Sequence, residues 1–69
     1  MDAATPPDLA AALQRAGLAG FFAGCTPAHR REYLGWIGEA KKPETRARRI
    51  EQAVARIGAK AAEEERRRG

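Results

Sequence analysis

Apolar side chains in this chain recur at steps of three and four, and no stretch alternates apolar with polar residues. The clearest run is Ala47, Ile50, Val54, Ile57 and Ala61, a narrow stripe along one face of a helix. Upstream, Tyr33, Trp36, Ile37 and Ala40 make a second helical face, which Leu34 widens. Leu9 and Leu13 stand one turn apart in a third. Start and stop signals divide these segments. Thr5-Pro6-Pro7-Asp8 reads as a helix start, with Thr5 as the cap, Pro6 at the first helical position and Asp8 three residues after the cap. This helix is predicted to run to Ala16 and to end at Gly17. Leu18–Gly24 is too short and glycine-rich for a long helix, and predicts a helical turn that places Phe21 and Phe22 in the core. Thr26-Pro27 opens a second main helix, predicted to reach about Ala40. Pro43 ends it and starts the third, with Glu44 in the first turn, where the helix dipole favours an acid.

Gly35 and Gly38 inside the second main helix each cost roughly 0.8–1 kcal/mol relative to alanine. Either they admit another helix at close range or they only weaken their own. Glu63–Arg68 continues the helical register with opposite charges three and four apart. Each such exposed pair contributes only a few tenths of a kcal/mol, so residues 62–69 are expected to fray. The expected fold is all-α: a small bundle of three main helices plus a short helical turn, forming one domain over residues 1–69.

Length sharpens this expectation. A chain of 69 residues has room for one domain, and it buries only about 60% of the surface its unfolded form exposes. Cys25 is the only cysteine, so neither an intrachain disulfide nor a multi-cysteine zinc site can form. A lone free thiol suits a reducing compartment. The stretch MDAATPPDLAAAL has no basic segment followed by a long apolar run, so no signal peptide is expected. No run approaches the roughly 18 apolar residues of a membrane span. The expected location is cytoplasmic. Thirteen Lys and Arg against nine Asp and Glu give a net charge of +4 and a pI near 10. That charge permits contact with nucleic acid, anionic lipid or an acidic protein without requiring any of them. Aromatic residues, at 6%, leave few platforms for base stacking.

The series Phe21-Phe22, Thr26-Pro27-Ala28-His29-Arg30-Arg31-Glu32-Tyr33, Trp36-Ile37 and Ala40-Lys41-Lys42-Pro43-Glu44-Thr45-Arg46-Ala47-Arg48-Arg49-Ile50 resembles the C-terminal domain of the YdeI/OmpD-associated, or bacteriocin-protection, family. The resemblance covers residues 21–57 and agrees in both order and spacing. It implies a helical fold and brings no catalytic residues. The family name suggests envelope stress or antimicrobial-peptide tolerance, and association with an outer-membrane porin. In many members this helical domain follows a separate N-terminal domain, whereas here it is expected to stand alone. The family pattern has longer residues where Gly35 and Gly38 lie, and an apolar residue at the position of Cys25. The last departure marks Cys25 as a packing residue.

The candidate chemistry centres on the stretch AKKPETRARRI at residues 40–50, which holds Lys41, Lys42, Arg46, Arg48 and Arg49. On a wheel centred on Ile50, the expected apolar stripe lies within about 60°, at about 100° per residue. Arg46 borders the stripe, Arg49, Arg56 and Lys60 share one flank, and Arg48 points outward. Arg46, Arg49, Arg56 and Lys60 thus form a basic edge, which Lys41 and Lys42 extend. Three readings are open. The edge holds phosphates by charge and bidentate contacts. Alternatively, it is a solvated face with Glu44–Arg48 and Arg48–Glu51 pairs. Or Arg46 and Arg49 lock the two long helices together, with Arg46 stacking on Trp36 or pairing with Glu39. Trp36, the sole tryptophan, is expected in the core, and partial exposure beside the basic edge would instead mark a binding spot. Cys25 and His29 could suggest a catalytic pair, but no orienting partner or oxyanion site accompanies them. No catalytic, metal or cofactor site is expected.

The expected function is a non-catalytic helical interaction domain that acts through protein contacts. The alternative is nucleic-acid or anionic-ligand binding through the basic edge. Two further expectations are an exposed apolar patch around Phe21, Phe22 and Leu34, and homodimerisation through residues 47–61.

Overall fold

The computed structural model describes residues 5–68. Four helices follow in order: α1 (Pro7–Arg15), α2 (Ala19–Ala23), α3 (Pro27–Gly38) and α4 (Pro43–Arg68). No strand occurs among the described residues, so the all-α expectation holds. Three helices are long and α2 is the expected helical turn. At 26 residues, α4 spans about 39 Å at 1.5 Å per residue. It sets the long dimension of the molecule, whose extents are 41 × 27 × 16 Å. The helix α4 packs on α1 and α3, and α1 packs on α2.

The starts and stops follow the residues, with one shift. Pro6 sits at the cap of α1 with φ −58° and ψ 146°, and no side chain caps the helix. A residue preceding proline is driven out of the helical region, so Pro7 holds Pro6 extended and is itself the first helical residue. The expected cap, Thr5, therefore lies one position too early. Gly17 ends α1 at φ +71°. There the Gly17 N–H donates to the Gln14 carbonyl at 3.0 Å and the Leu18 N–H to the Leu13 carbonyl at 2.8 Å, satisfying carbonyls that the helix leaves open. Thr26 caps α3, its hydroxyl accepting the His29 N–H at 3.3 Å. The helix stops at Gly38, two residues short of the expected Ala40.

The core comprises Leu9 and Leu13 of α1, Phe22 of α2, Ile37 of α3, and Ile50, Ala53 and Ile57 of α4. Phe22 meets Tyr33 edge-on, ring centroids 6.3 Å apart. Phe21 and Leu34 are half-buried against this core. The expected exposed patch at Phe21, Phe22 and Leu34 is thus part of the packing, with Phe22 only 2% exposed. The stripe on α4 is also rotated. Ala53 is fully buried, Ala47 is exposed, and Val54 and Ala61 are half-buried. On the same wheel the buried stripe is centred about 45° away from the expected one, toward the flank of Arg49, Arg56 and Lys60. The reason is tertiary: α3 packs against α4 from the side of that flank, bringing Trp36 to Arg49 and Arg56.

Gly35 and Gly38 have open space where a side chain would stand. No helix approaches them, so they are not sites of close helix packing. The run 63–68 continues α4 to Arg68, where Arg67 meets Glu63 at 3.5 Å.

Candidate functional site

The expected basic edge is divided three ways by the fold. Arg46 lies at the first turn of the buried stripe of α4 and reaches α1. Its Nε donates to Asp8 Oδ2 at 2.6 Å and its Nη2 to Asp8 Oδ1 at 3.1 Å, a two-pronged contact across 38 residues of sequence. The Arg46 hydrogen bond holds the Asp8 carboxyl below the usual carboxylate range, partial burial opposes this, and the Leu9 N–H, donating to Oδ1 at 2.9 Å, adds to it. Asp8 in turn raises the Arg46 guanidinium. The interhelix-lock reading expects Arg46 to stack on Trp36 or pair with Glu39; in the structure both contacts belong to Arg49.

Arg49 is the lock between α3 and α4. Its Nη1 donates to the Trp36 carbonyl at 2.7 Å, its guanidinium lies 5.4 Å from the Trp36 ring centroid, and Glu39 stands 3.8 Å away. Trp36 lies two residues before the end of α3, and the Ala40 N–H that would continue the helical pattern to its carbonyl donates to the Ile37 carbonyl instead. The arginine supplies a donor from the next helix while covering the ring. Lys41 and Lys42 are exposed in the connection between α3 and α4.

Arg56 and Lys60 remain. They stand one turn apart on α4 and face α3 across a groove of about 370 Å³, whose other lining residues are His29, Glu32, Tyr33 and Trp36. Arg56 lies 5.4 Å from the Trp36 ring centroid, so two guanidinium groups share one indole. Tyr33 and Trp36 are half-buried, while His29, Glu32, Arg56 and Lys60 are exposed. Among the described residues, no carboxylate lies within 4.0 Å of Arg56 or Lys60. The groove therefore has an aromatic wall from α3 and a cationic wall from α4. Trp36, expected in the core, is half-buried against it beside those cations.

A second groove, of about 800 Å³, lies between α1 and α4. Ala12, Ala47, Ile50 and Val54 line it, with Arg15, Glu44, Arg48 and Glu51 among its charged members. Of the 47–61 stripe expected to join two copies, Ile50 and Ile57 are buried within the chain itself. Cys25 donates through Sγ to the Phe21 carbonyl at 3.5 Å, and His29 is bound through its backbone N–H to Thr26. No group of three His, Cys, Asp or Glu residues able to hold a metal occurs among the described residues. Among them, no helix is long and apolar enough to cross a membrane.

The sequence placed Arg49, Arg56 and Lys60 on one flank of α4, and the fold sets Arg49 and Arg56 of that flank against Trp36 of α3. It separates Arg46, and Lys41 and Lys42 stay in the connection. His29 and Tyr33 share the face of Trp36 by helical spacing, but their role as the opposite wall of a groove appears only with α4 in place. Asp8 as the partner of Arg46 carried no local signal at all.

The family model described as OmdA, bacteriocin-protection, YdeI or OmpD-associated, matches residues 2–60. No curated protein and no solved structure matches the chain.

Proposed function

We propose that this chain, which belongs to the bacteriocin-protection, YdeI or OmpD-associated family, is a non-catalytic helical interaction domain that works through protein contacts. One observation carries the choice over phosphate binding. Tracking a nucleic-acid backbone calls for a run of free cations along one surface. Here Arg46 is held by Asp8 and Arg49 by the Trp36 carbonyl. Of the four edge residues on α4, Arg56 and Lys60 stay available, with Lys41 and Lys42 apart from them in the connection. The two make a cationic wall over an aromatic groove, a shape suited to a side chain or a short segment of another protein. The non-catalytic reading is supported by Cys25, whose thiol donates to a backbone carbonyl rather than to an imidazole. A cytoplasmic location fits the free thiol. The family description suggests that loss of the protein lowers tolerance to bacteriocins or other antimicrobial peptides.

The test places a photo-activated crosslinking residue at Lys60 and irradiates cells that make the protein. The proposal expects protein adducts that are reduced when the crosslinker is moved to the outward position Arg48. Adducts with RNA or DNA, together with micromolar, salt-sensitive binding of either by the purified chain, would replace this reading with the nucleic-acid one.

A further inference from the structure

We infer that the groove between α3 and α4 takes an acidic, extended peptide segment, with carboxylates at alternate positions meeting Arg56 and Lys60 and the chain lying along Tyr33 and Trp36. This deepens the protein-contact reading above and rests on it. Three features lead there. First, Arg56 is drawn to a ring that Arg49 already shares, each 5.4 Å from its centroid. Arg49 has a carboxylate at 3.8 Å, and among the described residues Arg56 and Lys60 have none within 4.0 Å. An anion placed between Arg56 and Lys60 relieves this crowding of like charge.

Second, the spacing selects the shape of the anion. Residues four apart on a helix rise by about 6 Å. Alternate side chains on one face of an extended chain stand about 6.6 Å apart. Two carboxylates separated by one residue therefore match Arg56 and Lys60, while the intervening side chain points away.

Third, the aromatic wall is not a free stacking platform. Trp36 is half-buried and carries two guanidinium groups, so a base stacking there competes with them for the ring. Glu32 stands in the same groove and opposes a dense run of phosphates more than it opposes two spaced carboxylates. These points favour a peptide over a single strand of nucleic acid.

The experiment uses the full chain and three fluorescein-labelled probes: a short peptide with glutamates at alternate positions, its glutamine counterpart, and a short oligothymidylate. Anisotropy gives the affinities, and emission from Trp36, the only tryptophan, reports occupation of the groove. The glutamate peptide is expected to bind roughly tenfold tighter than the glutamine peptide, two ion pairs of surface type together giving a factor of that order. Arg56→Ala/Lys60→Ala is expected to lose that factor with circular dichroism unchanged, and Arg48→Ala to keep it. Glu32→Gln is expected to tighten the glutamate peptide about twofold, since it removes a like charge from the groove, and a gain of this kind cannot come from misfolding. No binding of the glutamate peptide at millimolar concentration overturns the inference. Equal binding of the two peptides, or binding unchanged in the double variant, overturns it too but leaves a protein-interaction domain standing. Tighter binding of the oligothymidylate, lost in the double variant, overturns both.

Discussion

Single residues in this chain hold helices in place, and two of them give separable tests. Gly17 closes α1 at φ +71°, a region that costs an L-residue about 1–2 kcal/mol. Gly17→Ala is therefore expected to lower the melting temperature, by about 4–8 °C for each kcal/mol in a domain of this size, and a thermal scan by circular dichroism would show it. Arg49 combines a hydrogen bond to a carbonyl with contact to an indole face. Arg49→Ala leaves the Trp36 carbonyl short of a donor and is expected to cost about 1–3 kcal/mol in urea unfolding. Arg49→Lys should recover only part of this, because an ammonium makes the hydrogen bond but does not cover the ring. A full recovery would mean that charge alone, rather than the planar guanidinium, locks α3 to α4.

At the scale of elements, α3 and α4 differ in how well they suit the helical state. Gly35 has open space at its missing side chain and sits inside α3. Gly35→Ala is expected to stabilise the domain by about 0.5–1 kcal/mol, seen as a higher urea midpoint with an unchanged slope. No change would mean that the glycine matters in the folded packing after all. On α4 the test has the opposite sign. Ala53 is fully buried where the long helix crosses its neighbours, and Ala53→Leu forces extra volume into that crossing, at about 1–3 kcal/mol. The same enlargement at Ala47, which is exposed, is expected to change little. The pair of variants measures the rotation of the buried stripe directly. The spacing of apolar residues alone nominates Ala47 and passes over Ala53.

Across the whole molecule, the contact of Arg46 with Asp8 ties the beginning of the chain to the beginning of its last helix. Asp8 is held below the ordinary carboxylate range chiefly by its Arg46 hydrogen bond. Its contribution to stability is therefore fully present above the unfolded carboxylate pKa of about 3.9 and is lost as pH falls through the lower folded value. Urea midpoints measured from neutral pH downward should fall in that acid window, and Asp8→Asn should flatten the fall while lowering stability only slightly near neutrality, since the pair is largely exposed. The helices themselves were legible in the sequence, because caps, prolines, Gly17 and the steps of three and four act within a few residues of one another. So was the flank carrying Arg49, Arg56 and Lys60, since the periodicity of one helix places them together, whereas Trp36 comes to that flank only when α3 packs on α4. One local miss, Pro6 in place of Thr5 as the cap, also has a local cause in the proline that follows. What the sequence did not determine is which way α4 turns, that Arg46 leaves the basic edge for Asp8, and that His29 and Tyr33 face Arg56 and Lys60 across a groove. Each of these depends on α1 and α3 approaching α4 from particular sides, and a helix's own periodicity carries no record of where its neighbours will stand.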